Sequence, residues 1–288
     1  MPARRVRRLR RADETGTRHI HCADWGPPDA ERTLLCIHAY LSNGREFDPL
    51  ARSLAARGWR VLCPDLPGHG ASDRLPPALR YGGGVYRRDM RALVAASGAG
   101  RIDVLGASLG AILAMRMAAD EPTLIGRLVL VDGGPFASKE AYRRVKPTIP
   151  TTTVYPDAAS AARALRLLWS ERDPRPEAEI VAMMRTMMEP FGAGVRLRFD
   201  ERLLEAMAGR GEADADSWAR WRAVRAPTLV VRGEHSLMMT AATAAEMVRL
   251  QPQTRVLTVP GCGHRPWLHA PDQIAAVTAW FEQGTPPG

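Results

Sequence analysis

The stretch that most constrains the fold of this chain is residues 101–115, RIDVLGASLGAILAM. An apolar run from Ile102 to Leu105 is followed by the pentapeptide GASLG and then by an unbroken series of helix formers. A serine between two glycines at a strand–helix junction is typical of a strained turn that points its hydroxyl away from the sheet. The pentapeptide alone also fits an ordinary turn, because its residues are common. Motifs before and after it favour Ser108 as a nucleophile.

Composition places the chain among globular proteins, with 45% hydrophobic and 25% charged residues in a length of 288. No run approaches the roughly 20 apolar residues that a membrane helix needs. The basic N-terminus is not followed by the apolar segment of a signal peptide. The four cysteines form no C-x-x-C pair, which favours buried thiols in a reducing compartment. We therefore expect a cytoplasmic protein without a membrane partner.

The net charge of +9 raises the question of nucleic-acid binding. Nearly all of the 40 basic residues are arginines, since Lys139 and Lys146 are the only lysines. They are spread along the chain and are not interleaved with aromatic residues in one motif. Their densest cluster, at residues 4–11, fits a solvated first strand. We predict no nucleic-acid partner.

Apolar strand patterns alternate with helical patterns through most of the chain, which predicts a mostly parallel sheet with helices on both faces. Residues 136–222 break this rhythm and contain helical segments near 157–171, 176–188 and 200–208. We expect the first part of a core domain at 1–135, a helical lid at 136–222 and the rest of the core at 223–288. Ligands of such sheets bind at the carboxyl ends of strands. Tyr40, Ser108, Asp132 and His264 each come just after a predicted strand, which predicts one shared site.

Six motifs in order carry a family resemblance: HAY at residue 38, PDLPGHGASD, GASLG, LVLVDGGP, PTLVVRGE and PGCGH. Together they resemble the α/β-hydrolase superfamily, in its serine-nucleophile branch with a helical lid. The resemblance covers about residues 18–285. It implies the α/β-hydrolase fold, a mostly parallel eight-stranded sheet with helices on both faces and an inserted helical lid.

The resemblance also assigns roles to particular residues. Ser108 corresponds to the nucleophile and His264 to the catalytic histidine that removes its proton. The backbone N–H groups of Tyr40 and Leu109 correspond to the oxyanion hole. The family more often has glycine where this chain has Ala39, and alanine adopts positive φ less freely. We therefore expect an oxyanion hole of slightly altered shape.

The acid of the triad departs from the usual pattern. The family usually places an aspartate about three residues after the glycine that ends the penultimate strand, here Gly233, but the following residues are EHSLM. A triad histidine needs a carboxylate to control its tautomer and stabilise its positive charge. Asp132, after the strand that precedes the lid, is the first candidate and Glu234 the second. A site without a working acid is the third possibility.

A serine nucleophile, a histidine base and two backbone donors suit acyl transfer to water. We predict an enzyme, a serine esterase that cleaves a carboxylic ester or lactone through an acyl-enzyme. The predicted partner is a small, hydrophobic ester or lactone. No cofactor and no metal is implied, because the chain lacks a phosphate loop, a dinucleotide fingerprint and metal-ligand spacing. The alternatives are a carbon–carbon bond or enol-lactone hydrolase and, in another class, a non-hydrolytic ligand-binding homologue.

Overall fold

The structure of the protein is a computed structural model. It describes residues 4–13, 16–77, 79–148, 153–169, 176–208, 212–264 and 266–283. After three successive strands, helices and strands alternate through the first half of the chain. The strands are β1 (Arg4–Asp13), β2 (Gly16–Trp25), β3 (Thr33–Ile37), β4 (Arg60–Pro64), β5 (Ile102–Ala107) and β6 (Ile125–Val131). The helices are α1 (Asp48–Ala55), α2 (Gly83–Ser97) and α3 (Leu109–Asp120). Strands β3, β4 and β6 are buried along their whole length, as expected for strands covered on both faces.

An insertion, residues 132–227, follows β6. Its elements are β7 (Phe136–Ala137), α4 (Lys139–Val145), α5 (Ala158–Trp169), α6 (Glu177–Met187), β8 (Met188–Phe191), β9 (Gly194–Leu197), α7 (Arg202–Ala208), β10 (Ala215–Asp216) and α8 (Trp218–Ala223). Three of these helices occupy the predicted helical segments, although residues 170 and 171 of the first segment lie outside the described residues. The short strands pair antiparallel, β7 with β10 and β8 with β9. The division of the chain at 135 and 222 into core and lid stays a prediction.

The core then resumes with β11 (Thr228–Gly233), α9 (Ala241–Leu250), β12 (Thr254–Val259) and α10 (Pro271–Glu282). Eight strands form one sheet in the order β1-β2-β4-β3-β5-β6-β11-β12. All neighbours from β4 to β12 pair in parallel, whereas β2 pairs antiparallel with β1 and β4. This order confirms the predicted mostly parallel, eight-stranded sheet.

The hydrophobic core consists of one cluster on each face of the sheet. One cluster packs Leu50 of α1 and Phe281 of α10 against the sheet. The other contains Met90 of α2, Met115 of α3 and Trp221 of α8. Helices therefore cover both faces, as predicted. No helix in the described part of the chain is long and apolar enough to cross a membrane.

Two buried aspartates bind several of the arginines near the N-terminus. Asp24 has no exposed surface and forms ion pairs with Arg5, Arg7 and Arg60. Asp89, which is also fully buried, binds Arg18 with a nitrogen–oxygen distance of 2.6 Å. Part of the basic first hairpin is thus held by internal carboxylates, which agrees with a structural role for these arginines.

Candidate active site

The turn at Ser108 has a strained backbone. Ser108 has φ 50° and ψ −107°, a conformation that non-glycine residues rarely adopt. Its N–H donates to the carbonyl of Val131 over 2.8 Å. A Cβ atom at Gly106 would lie 2.1 Å from the Gly110 carbonyl oxygen, and one at Gly110 would lie 1.9 Å from that of Ile37. Both glycines of the motif are therefore required by the close approach of β5, α3 and β3.

Ser108, His264 and Asp132 form one chain of hydrogen-bonding atoms. Ser108 Oγ lies 3.1 Å from His264 Nε2, and His264 Nδ1 lies 2.8 Å from Asp132 Oδ2. The His264 side chain is 18% exposed and that of Asp132 is 1% exposed. The order of the atoms fits an imidazole that donates from Nδ1 to the carboxylate and accepts the serine proton at Nε2.

The ends of two neighbouring strands place Asp132 in this chain. Asp132 follows β6 directly, has φ 50° and donates its backbone N–H to the Val231 carbonyl over 2.8 Å. A Cβ atom on the next residue, Gly133, would lie 2.5 Å from the Ser108 carbonyl oxygen. A glycine at this position therefore lets the Asp132 turn pack closely against the serine turn.

The environment of the Asp132 carboxyl group acts on its pKa in two directions. Burial raises the pKa, because an ionised carboxylate loses its hydration in the interior. Three neighbouring groups lower the pKa: the His264 ring, the Ser236 hydroxyl and the Gly233 N–H. The effect of burial is larger, so the net shift of the Asp132 pKa is upward. The His264 ring is thus the main partner that favours the charged form of this buried group.

The second predicted acid, Glu234, has different partners. Its Oε2 accepts a hydrogen bond from the Gly261 N–H over 2.8 Å and lies 3.7 Å from Nε2 of His235. The side chain is 51% exposed. Among the described residues, the structure gives Glu234 no hydrogen bond or ion pair to His264.

The two predicted oxyanion donors lie at the start of α3 and in the loop after β3. Leu109 is the first residue of α3, and Tyr40 lies in the loop after β3, where its hydroxyl donates to the Leu203 carbonyl of the insertion. In this loop Leu41 has a positive φ angle of 55°, whereas the φ angle of Ala39 is not positive. An alanine in place of the usual glycine is therefore accommodated without the conformation that would strain it.

Two buried histidines near this loop have structural contacts. His38 Nδ1 lies 2.7 Å from the Ala39 carbonyl oxygen, and its Nε2 accepts from the Leu66 N–H over 2.8 Å. Burial lowers the pKa of His38, and it lowers that of His69 to about 3. Both rings are therefore neutral at pH 7, and neither of them is a hydrogen-bonding partner of Ser108.

Two cavities with walls of described residues border Ser108. The smaller has about 350 Å³ of open space and is also lined by His264, Phe47 and Trp267. The larger, which we call the α3 cleft, has about 640 Å³ of open space. It is lined by α3, the start of α2 and the insertion, and the lining residues include Gly83, Leu109, Ile112, Leu113, Arg116, Phe136, Tyr142 and Ser217.

Sequence reasoning did not identify Arg116 as a residue that lines the α3 cleft. A signal was present, because Leu109, Ile112, Leu113 and Arg116 are spaced as residues that share one face of a helix. That spacing predicts a common face, but not that the face borders a cleft next to Ser108.

Comparison with known proteins agrees with this fold. The family model of the alpha/beta hydrolase fold matches residues 32–270. The chain therefore belongs to the α/β-hydrolase family and is an enzyme of that family, a hydrolase. It is 28% identical to a 3-hydroxybutyrate-oligomer hydrolase of Cupriavidus necator over 90% of this chain and 91% of that protein.

Two further proteins have similar sequences or structures. A 2-(acetamidomethylene)succinate hydrolase of Mesorhizobium japonicum is 29% identical, over 80% of this chain and 81% of its own length. The crystal structure of an alpha/beta hydrolase from Novosphingobium aromaticivorans superposes with a TM-score of 0.84 at 30% identity, covering 97% of this chain and 99% of that one. The likeness extends over nearly the whole chain.

Proposed function

We propose that this hydrolase cleaves a carboxylic ester or lactone through an acyl-enzyme formed on Ser108. The observation that carries the proposal is the chain of 3.1 Å and 2.8 Å contacts from Ser108 through His264 to Asp132. A serine hydroxyl becomes a useful nucleophile only when a base takes its proton during attack. His264 is that base, and Asp132 holds its ring and stabilises its positive charge.

In the proposed reaction, Ser108 Oγ attacks the ester carbonyl carbon as its proton moves to His264 Nε2. The backbone N–H groups of Tyr40 and Leu109 stabilise the tetrahedral oxyanion. His264 then protonates the departing alkoxide, so that an acyl-serine remains and an alcohol leaves. Water, deprotonated by His264, attacks the acyl-serine and releases the carboxylic acid and the free serine.

The named activities of the relatives support an ester or related acyl substrate. The similar protein of C. necator is named for the hydrolysis of 3-hydroxybutyrate oligomers. The alternative of a non-hydrolytic binding protein requires a missing triad acid, and the 2.8 Å contact between Asp132 and His264 supports the hydrolytic proposal instead. We propose a small-molecule ester or lactone as the partner.

A cytoplasmic location is part of the proposal. It is supported by the cysteines, because Cys22, Cys36 and Cys63 are buried free thiols and Cys262 is a partly exposed one. The test is the distribution of the protein between fractions of its native cell. Recovery from an extracytoplasmic fraction would contradict the proposed location.

The first experiment compares hydrolysis of 4-nitrophenyl butyrate and of 3-hydroxybutyrate dimer by the wild type and by Ser108→Ala. We expect activity in the wild type and a loss of at least about 1,000-fold in the variant. Mass spectrometry of the wild type treated with a fluorophosphonate should show one adduct on Ser108. Equal hydrolysis by both proteins, or an adduct elsewhere, would overturn the proposal.

A further inference from the structure

The floor of the α3 cleft is one face of α3. Leu109, Ile112, Leu113 and Arg116 line the cleft in succession, and their spacing of three and four residues puts them on the same side of the helix. Ser108 lies at the beginning of this face and Arg116 at its far end. The cleft therefore extends from the hydroxyl of Ser108 over apolar side chains to an arginine.

The guanidinium of Arg116 lies against the start of α2. Its Nη1 is 3.1 Å from the position that a Cβ atom on Gly83 would take, and Gly83 itself lines the cleft. Glycine at this position leaves room for the guanidinium at the cleft wall. Long side chains of a helix lean toward its N-terminus, so we expect that of Arg116 to extend in the direction of Ser108.

Two charged residues line the described part of the cleft. Among the described residues that line it, Arg116 is the one basic residue and Asp132 the one acidic residue. The Asp132 carboxylate binds His264 at the other end of the cleft. A guanidinium recognises carboxylates well, because its planar N–H groups match the two carboxylate oxygens.

The position of His264 indicates which part of an ester lies in the cleft. The leaving alkoxide must be close to His264 Nε2, which protonates it. His264 lines the smaller cavity and does not line the α3 cleft. The acyl chain is therefore the part that extends along α3, away from His264.

We propose that the α3 cleft binds acyl chains that end in a carboxylate, and that Arg116 binds this carboxylate. This inference rests on the proposed function, because Ser108 marks the position of the ester carbonyl. Arg116 lies eight positions after Ser108, a rise of about 12 Å along α3, and an arginine side chain spans roughly 6 Å of this distance. The carboxylate then lies about four to six bonds from the carbonyl carbon, as in a half-ester of adipic acid.

The test compares two esters of equal chain length, mono-4-nitrophenyl adipate and 4-nitrophenyl hexanoate. We expect the wild type to prefer the adipate half-ester and Arg116→Met to lower the ratio of the two kcat/KM values by about 10- to 100-fold. Arg116→Lys should restore part of the preference, because it keeps the charge and loses the planar fork. A ratio that Arg116→Met leaves unchanged would overturn the inference.

The matched control is Arg88→Met. Arg88 is an exposed arginine of α2 that does not line the cleft, so its removal changes the net charge equally. We expect this variant to keep the wild-type ratio. A fall in the ratio as large as that of Arg116→Met would show a general effect of charge and contradict direct binding by Arg116.

A binding measurement separates failure of this inference from failure of the proposed function. Calorimetry with monomethyl adipate and with methyl hexanoate is carried out on Ser108→Ala and on Ser108→Ala/Arg116→Met. Binding of the adipate half-ester that needs Arg116 supports the inference even if neither 4-nitrophenyl ester is hydrolysed. Ester hydrolysis through Ser108 without any preference for adipate would overturn the inference and leave the proposed function in place.

Discussion

Replacing Asp132 with asparagine tests the proposed triad most directly, because the side chain keeps its size and loses its charge. Asp132 Oδ2 lies 2.8 Å from His264 Nδ1 in a position that is 1% exposed. If the new amide group donates to Nδ1, the ring proton must reside on Nε2. That nitrogen lies 3.1 Å from Ser108 Oγ and could no longer accept the serine proton.

The size of the effect follows from this change of tautomer. The same substitution in a serine protease triad lowers kcat by about 10,000-fold, or about 5.5 kcal/mol of transition-state stabilisation. Water has little access to the buried Asp132 and cannot replace the lost charge. We therefore expect kcat for 4-nitrophenyl butyrate to fall by about 1,000- to 10,000-fold, with a small change in KM.

Glu234→Gln is the matched control. Glu234 is half exposed and bonded to the Gly261 N–H, so we expect its kcat to stay within about threefold of the wild type. Thermal unfolding checks that both variants are folded. The assignment of Asp132 is refuted if Asp132→Asn keeps more than about a tenth of the wild-type kcat, or if Glu234→Gln loses as much.

Three further predictions concern stability, measured by urea or thermal unfolding. Gly110→Ala should cost about 3 kcal/mol or more, since its Cβ would lie 1.9 Å from a carbonyl oxygen. Gly84→Ala, at an exposed position of α2, should be neutral or stabilising, and equal effects of the two substitutions would contradict this. Burial raises the pKa of Asp103 to about 6, so the folded state holds this proton more tightly than the unfolded chain. Stability should therefore fall by about 2 kcal/mol between pH 4 and pH 7, and Asp103→Asn should remove that part of the fall; an unaltered pH profile would refute it. Asp24→Asn should cost about 3 kcal/mol by leaving Arg60 unpaired in the interior, and a cost below about 1 kcal/mol would argue against this pair.

The elements of the sheet were predictable because their signals are local. Continuous apolar runs, as in β3 and β6, and the glycines around Ser108 each depend on neighbours a few residues away. The short strands of the insertion carry no such signal. Ala137 of β7 pairs with Ala215 of β10, far along the chain, and each strand has only two residues. Their pairing depends on how the surrounding elements pack.

The same contrast between local signals and tertiary packing applies to the site residues. Ser108 and His264 were predicted to share a site because each follows a strand of a parallel sheet, and the carboxyl ends of such strands lie on one edge. Which acid contacts His264 depends on the direction of two side chains at neighbouring strand ends. The backbone of Asp132, with φ 50°, directs its carboxylate to the ring, whereas the Glu234 carboxylate is bonded to the Gly261 N–H.

By itself, then, the sequence determined the parallel sheet, the strained serine turn and the order of the motifs, because these follow from local patterns and chain order. Only the tertiary structure placed Asp132 rather than Glu234 next to His264, and put Arg116 at the end of a cleft that begins at Ser108. The reason is that distances between side chains of different elements depend on how those elements pack. A helical period gives the face on which Arg116 lies, but packing against Gly83 and the insertion makes that face the floor of a cleft.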